Sequence, residues 1–327
     1  MHGTATARAG ANIALVKYWG KRDPVLNLPA TGSLSMTLDG LGTTTTVSFD
    51  DALARDEVVL EGQRATGAFR ERVSRFLDFV RQEAGISAHA RISTRNSVPT
   101  AAGLASSASG FAALALAATR AAGLDADLGR LARLARRGSG SAPRSLLGGF
   151  VELPAGIEDD GTDCVPVQLA PPDAWDVALV VALAAIGPKE VGSTEGMERT
   201  RQTSPFYPVW LARAPSDLRD AREAVADRDL ERLGRVAEAS CFAMHGAMLG
   251  CAPPLLYWTG ATVEAVRRVR TLRHDGVPGF VTIDAGPHVK VLCAASVAAT
   301  FARELARVPG IESVLVERPG PGAEIVE

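Results

Sequence analysis

The stretch from Pro99 to Gly110, PTAAGLASSASG, constrains this chain more than any other. Small residues fill nearly every position, so the backbone there can approach another molecule closely, and an apolar run at helical spacing, Phe111 to Ala122, follows at once. Ser106, Ser107 and Ser109 add hydroxyls where that helix begins, and the free N–H groups and dipole of a helix N-terminus favour negative charge. The segment reads as a phosphate loop, with close packing at a tight helix start as the alternative. It is not a Walker loop, because no Lys-Ser or Lys-Thr follows a second spaced glycine, and it lacks the three glycines of a dinucleotide fingerprint. No Gly-x-Ser-x-Gly frames any of its serines, which excludes a serine-hydrolase elbow.

The chain has 327 residues, of which 46% are apolar, enough for one large domain or two lobes sharing a cleft. Its 35 basic and 37 acidic side chains give a formal charge of −2, so no overall field draws it to nucleic acid or an anionic membrane. Any anion site is therefore local. Cys164, Cys241, Cys251 and Cys293 are too widely spaced for a zinc knuckle or a CxxC pair, and free thiols in a reducing compartment are expected. No pair of histidines has zinc-ligand spacing, so no protein-held metal is expected. The longest apolar run, Val177 to Ile186, is far shorter than the roughly 20 residues a bilayer requires. No charged-then-apolar leader opens the chain, and a cytoplasmic location is the expectation.

Patterning predicts strands at Ala9–Val16, Ser33–Leu38, Thr43–Phe49 and Glu57–Glu61, together an antiparallel meander, then a helix from Phe69 to Ala84 and a strand at Ala88–Thr94. Helices are predicted at Leu104–Ala122 and Asp127–Arg137, and extended chain at Leu146–Leu153 and Val177–Leu183. A polar segment from Lys189 to Leu211 reads equally as a ligand-covering loop or a surface linker. Beyond it come helices near Pro215–Asp227, Leu230–Met248 and Ala261–Asp275, strands at Phe280–Ile283, Val289–Leu292 and Val314–Glu317, and a helix at Ala294–Arg307. The expected fold is α+β in two lobes, residues 1–185 and 186–327, with a cleft between them.

Three further clusters carry chemistry. In KYWGKRD, Lys17 and Lys21 flank a glycine turn and could meet phosphate oxygens as point charges beside Tyr18 and Trp19; snorkelling at a strand end is the plainer reading. In GSGSAPRSLLGGF, serines alternate with glycines and Arg144 presents a planar fork suited to a carboxylate or phosphate, or merely follows a helix cap. In VTIDAGPHVKVL, Asp284 ends an apolar strand before a forced turn, either as a turn former or as a base held ionised by nearby cations.

In this order, ANIALVKYWGKRD, SLSMTLDGLGTTTTV, NSVPTAAGLASSASG, RRGSGSAPRSLLGGFVEL, GSTEGM with TSPFY, and DAGPHVKVL resemble the mevalonate diphosphate decarboxylases of the GHMP kinase superfamily over nearly the whole chain. The resemblance implies a GHMP kinase-like fold and an ATP- and magnesium-dependent reaction on (R)-5-diphosphomevalonate. The tertiary hydroxyl is phosphorylated, then phosphate and carbon dioxide leave, giving isopentenyl diphosphate. It implies Asp284, Lys17 and Arg144 as catalytic residues. Tyr18, Trp19, Gly20, Lys21, Arg70, Ser139, Gly140, Ser141, Ser193 and Thr194 would line the substrate, and Asn96, Pro99, Ala102, Gly103, Leu104, Ala105, Ser106 and Ser107 the nucleotide. A homodimer is implied too.

The chain departs from that family at His288, where asparagine is usual, at Pro143, where cysteine is common, and at PATGS before SLSMTL. A decarboxylase of the 5-monophosphate, a kinase acting on the 3-hydroxyl, and a non-catalytic nucleotide-binding relative are the alternatives.

Overall fold

The computed structural model describes residues 3–97, 106–184 and 191–326. Strand β1 (Thr4–Val16) is buried along almost its whole length, and the hairpin β2 (Lys21–Asp23) and β3 (Leu28–Pro29) follows it. The two strands expected at Ser33–Leu38 and Thr43–Phe49 are one, β4 (Ser33–Asp50). The β1–β4 register slips beyond the Gly10–Gly42 pair, and a Cβ on Gly42 would stand 2.6 Å from the Ala9 carbonyl oxygen. Glycine there lets the long strand bend without breaking.

Next come β5 (Glu57–Leu60), β6 (Gln63–Arg64), α1 (Gly67–Ala84) and β7 (His89–Asn96). Of the expected meander the antiparallel β1–β4 pairing is present, but β5 lies not beside β4 but parallel to β7, which itself pairs antiparallel with β4. A parallel neighbour needs a crossover, and α1 supplies it.

Helix α2 (Ser106–Ala121) buries Ala112, Ala113, Ala115, Ala117 and Ala118, so it lies close on β1 and β4. Helix α3 (Leu128–Gly138) is capped by Asp127, whose side chain accepts the Arg130 N–H at 2.7 Å. A 3₁₀ turn, Ala142–Leu146, ends where the extended segment was expected to begin, and β8 (Phe150–Leu153) and β9 (Val167–Ala170) follow.

The second sheet starts with β10 (Val177–Ala184), which precedes the lobe boundary expected near residue 185; that boundary itself lies outside the described residues. The polar segment is helical from Ser193: α4 (Ser193–Thr203) is stabilised by Glu195–Arg199 and Glu198–Arg201 ion pairs, whose spacing a loop reading overlooks. Then follow α5 (Tyr207–Ala226), with Pro215 inside it, α6 (Leu230–Leu249), α7 (Gly260–His274), β11 (Gly279–Ile283), β12 (Val289–Ala294), α8 (Ala298–Leu305) and β13 (Ile311–Glu317).

The order β11-β12-β10-β13 is antiparallel throughout, and β14 (Glu324–Ile325) returns to pair with β1. Strand β10 sends Val177, Leu179, Val181 and Leu183 into a core shared with β1, β4, α5 and α6, and Ala178, Val180 and Ala182 into a core under α7 and α8. A strand buried on both faces has to be apolar throughout. The cysteines are buried free thiols, as expected. Among the described residues, no helix is long and apolar enough to cross a membrane.

Candidate active site

The ends of β1 and β11 meet at one backbone carbonyl. Ala14 O accepts from Lys17 Nζ at 2.9 Å and from Thr282 Oγ1 at 3.1 Å. Beyond that crossing, Lys17 Nζ donates to Asp284 Oδ1 at 2.8 Å, and Lys290 Nζ, from β12, donates to Oδ2 at 2.9 Å. Burial by itself would push the Asp284 carboxyl up, but the two ammonium groups outweigh it and hold the group well below the usual carboxylate range.

Helix α6 supports both partners from behind. Ser240 Oγ accepts the Lys17 N–H at 3.1 Å, and Cys241 Sγ accepts the Ile283 N–H at 3.1 Å. His245 Nε2 lies 3.3 Å from the Ile283 carbonyl oxygen and 3.4 Å from Trp258 Nε1. Burial, helped by the charge on Lys17, lowers the His245 pKa to about 4, so the ring is neutral near pH 7.

Arg144 comes to the same cleft on the 3₁₀ turn. Its Nε donates to Asn12 Oδ1 at 3.2 Å and Ser35 Oγ at 3.1 Å, and its Nη1 to Ser33 Oγ at 2.6 Å. These acceptors are neutral. Burial lowers its pKa to about 10, so it remains a cation that is desolvated and held rigidly, with no carboxylate among its hydrogen-bond acceptors in the described residues. Such a group is prepared for an anionic ligand.

The cleft is a cavity of about 1400 Å³. Lys21, Arg72, Arg75 and Arg137 form a cationic wall in it. Arg72 donates to the Gly138 carbonyl at 2.7 Å with its guanidinium 4.6 Å from the Phe111 ring centre, and Arg137 lies 3.9 Å from that of Phe79. Burial and then the neighbouring Arg72 lower the Lys21 pKa. The Tyr18 hydroxyl has no hydrogen-bond partner among the described residues, and it would stand 2.2 Å from a Cβ on Gly140. Glycine at 140 leaves the phenol room. Across the cleft, Trp19 Nε1 donates to Thr200 Oγ1 at 3.0 Å, fastening α4 beside the cavity.

Of the residues singled out from sequence, Lys17, Tyr18, Trp19, Lys21, Ser107, Ser139, Gly140, Ser141, Arg144, Ser193, Thr194 and Asp284 line this one cavity. Arg70, Gly20 and Asn96 are not among its lining residues. Arg72 and Arg75 stand where Arg70 was expected, because α1 turns a different face to the cleft. Gly20 shapes the turn instead, with φ +112°, and Asn96 Oδ1 accepts from Thr43 Oγ1 at 2.7 Å. Ser109 likewise bonds Thr43, Oγ to Oγ1 at 2.7 Å, facing the sheet rather than a ligand. Pro99 and Ala102 to Ala105 lie outside the described residues, as does the side chain of Ser106.

Sequence reasoning passed over Lys290, although a lone charge in the buried strand VKVLCA was the available signal.

Nucleotide phosphates fit the observed features: Ser107 is exposed in the first turn of α2, on the wall of a cavity rich in cations. A magnesium ion would accompany those phosphates, with the Ser107 hydroxyl as a protein oxygen available to it on the same wall.

Comparison with known proteins places this geometry. Residues 9–166 match the family model described as "Diphosphomevalonate decarboxylase-like N-terminal domain", and residues 179–316 that described as "Mevalonate 5-diphosphate decarboxylase C-terminal domain". The chain is 34% identical over 302 residues to the diphosphomevalonate decarboxylase of Candida albicans, covering 88% of this chain and 83% of that one. It is 41% identical, with TM-score 0.93 and 100% of both chains covered, to the mevalonate diphosphate decarboxylase from Enterococcus faecalis, in a structure describing mevalonate diphosphate-mediated ATP binding. A structure of MDDEF in complex with MVAPP, AMPPCP and magnesium is 41% identical, with TM-score 0.94 and the same full coverage.

Proposed function

Given that this chain belongs to the diphosphomevalonate decarboxylase family, with the GHMP kinase-like α+β fold of that family, we propose how its own residues carry out the reaction. The enzyme is an ATP- and magnesium-dependent carboxy-lyase of the mevalonate pathway. It converts (R)-5-diphosphomevalonate to isopentenyl diphosphate, with ADP, phosphate and carbon dioxide as the other products. The observation that carries the mechanism is the convergence of Lys17, Asp284 and Arg144, from distant parts of the sequence, on one cationic cleft.

The Asp284 carboxylate accepts the tertiary hydroxyl as a hydrogen bond and orients it. A carboxylate this acidic is a weak base early in the reaction, so it takes the proton late, after the new O–P bond has largely formed. Lys17 neutralises charge on the phosphoryl group being transferred. Arg144 grips the substrate carboxylate, with Ser139 and Ser141 positioning the carbon skeleton beside it. Lys21, Arg72 and Arg75 take the diphosphate, and Tyr18 offers to the same ligand a hydroxyl that has no partner among the described residues. Ser193 and Thr194, at the start of α4, close the cleft over it. Bound ATP with magnesium supplies the phosphoryl group and disperses the charge of the leaving ADP; Ser107 and the N-terminus of α2 hold its phosphates.

The two lobes, a cytoplasmic location and a homodimeric state belong to the same reading. Sedimentation at micromolar concentration checks the dimer. The activity is tested by incubating the protein with ATP, magnesium and either the 5-phosphate or the 5-diphosphate of mevalonate while recording ADP and carbon dioxide. Stoichiometric carbon dioxide from the diphosphate is the expected result. ADP without carbon dioxide would make the protein a kinase.

A further inference from the structure

Strand β12 carries a single charge among apolar neighbours, and its side chain is almost fully buried. A lysine in such a place is costly unless it is paired, and the partner of Lys290 is Asp284 Oδ2, at 2.9 Å. One carboxylate thus meets two ammonium groups, since Lys17 already holds Oδ1 at 2.8 Å. A single lysine would neutralise Asp284, so the second leaves the triad with net positive charge beside the cleft.

The other groups facing Asp284 do not replace Lys290. Arg144 is turned to Asn12, Ser33 and Ser35, and Cys241 and His245 of α6 are kept neutral by burial. His288, just before β12, accepts the Ala184 N–H through Nδ1 at 3.2 Å. Among the described residues, Lys17 and Lys290 are the cations bonded to this carboxylate.

We propose that Lys290 is a positioning residue that keeps Asp284 ionised and fixed through Oδ2, independently of Lys17, so that Lys17 is free to turn its charge to the phosphoryl group. This rests on the reading given above. As the substrate oxygen bonds to phosphorus and the bond from phosphorus to the ADP oxygen breaks, the hydroxyl proton passes to Asp284 and then to solvent. Lys290 makes the carboxyl release that proton before the next turnover, even while Lys17 is engaged elsewhere.

The test is kcat, and KM for ATP and diphosphomevalonate, between pH 5 and 8 for the full-length enzyme and for Lys290→Gln, Lys290→Met and Lys290→Arg. With Lys17 turned to the phosphoryl group, Lys290→Gln and Lys290→Met leave a buried carboxyl with no adjacent cation, and burial by itself pushes a carboxyl above its usual range. Lys290→Gln and Lys290→Met should therefore lose kcat at pH 5 relative to pH 8 at least fivefold more than the parent, with KM changed less than about threefold, and Lys290→Arg should restore the parent profile. Glutamine keeps a hydrogen-bond donor without the charge. A Lys290→Gln enzyme with the parent pH profile overturns the proposal, whether or not Lys290→Met folds. Failure of the underlying reading is separate, for then the parent itself releases no carbon dioxide.

Discussion

Lys17 and Asp284 are 267 positions apart in sequence, yet Lys17 Nζ lies 2.8 Å from Asp284 Oδ1. The pair exists only because β1 and β11 end at the same place, tied through Ala14 O and backed by one helix, α6. Each reacting group sits one residue past the end of a packed strand, so their separation is set by where β1 and β11 end.

Asp284→Ala removes the group that orients and finally deprotonates the tertiary hydroxyl. Turnover should fall by about 10²- to 10⁴-fold, the usual weight of a positioned base, with little change in substrate affinity. Carbon dioxide release under single-turnover conditions and calorimetric titration with diphosphomevalonate measure the two halves. A variant that binds and still turns over at the parent rate would remove Asp284 from the mechanism.

Arg72→Ala should raise KM for diphosphomevalonate at least tenfold, because Arg72 lines the cleft as one of its wall of cations. Arg70→Ala should leave KM within about twofold, since Arg70 is not on the lining. Initial-rate kinetics on the pair decide which arginine of α1 serves the ligand.

Gly20→Ala is expected to destabilise the protein by roughly 2 kcal/mol or more, through a backbone conformation that side chains disfavour and a Cβ overlapping its neighbour. The glycine has φ +112°, and the added Cβ would stand 2.0 Å from the Tyr207 hydroxyl oxygen. Tyr207→Phe alone should be neutral or slightly stabilising, because that buried hydroxyl has no hydrogen-bond partner among the described residues. Combined with Gly20→Ala it should recover part of the loss, the overlap but not the backbone strain. Urea denaturation of the three variants reports each contribution.

His245 should make stability fall in mild acid. Its folded pKa is lowered by burial to about 4, below its unfolded value of 6.5, so between those limits the unfolded chain binds a proton that the folded protein does not. Stability is thus fully present above about pH 6.5 and lost as pH falls toward 4, by up to about 3 kcal/mol from this residue. Unfolding free energies at pH 7 and 4.5 should differ less in His245→Asn than in the parent.

Much of the site was legible in the sequence because its chemistry is local. Ser139, Gly140, Ser141 and Arg144 lie within one short segment, and Lys17 to Lys21 within another, so the residue types betray a ligand before any folding is considered. Glu195 and Arg199 were legible as a helical pair too, but a polar composition hid the helix they stabilise. The continuity of β4 through Leu38–Thr43 was not legible, since glycines at Gly40 and Gly42 look like a turn until a partner strand holds them extended.

The sequence by itself determined most of the strands and helices, α4 and the continuity of β4 excepted, and it marked the serine loop, the lysine turn, the glycine-serine turn and Asp284 as candidate places for handling charge. Periodicity and small-residue clusters are local properties, so they survive without the fold. Only the tertiary structure decided that Lys290 joins Asp284 and that Arg72, not Arg70, faces the cleft. Residues two apart on a helix point about 200° away from each other, and a helix phase is fixed only by what it packs against. A lysine on a strand likewise finds its carboxylate only once the register of β11 and β12 sets Thr282 opposite Lys290.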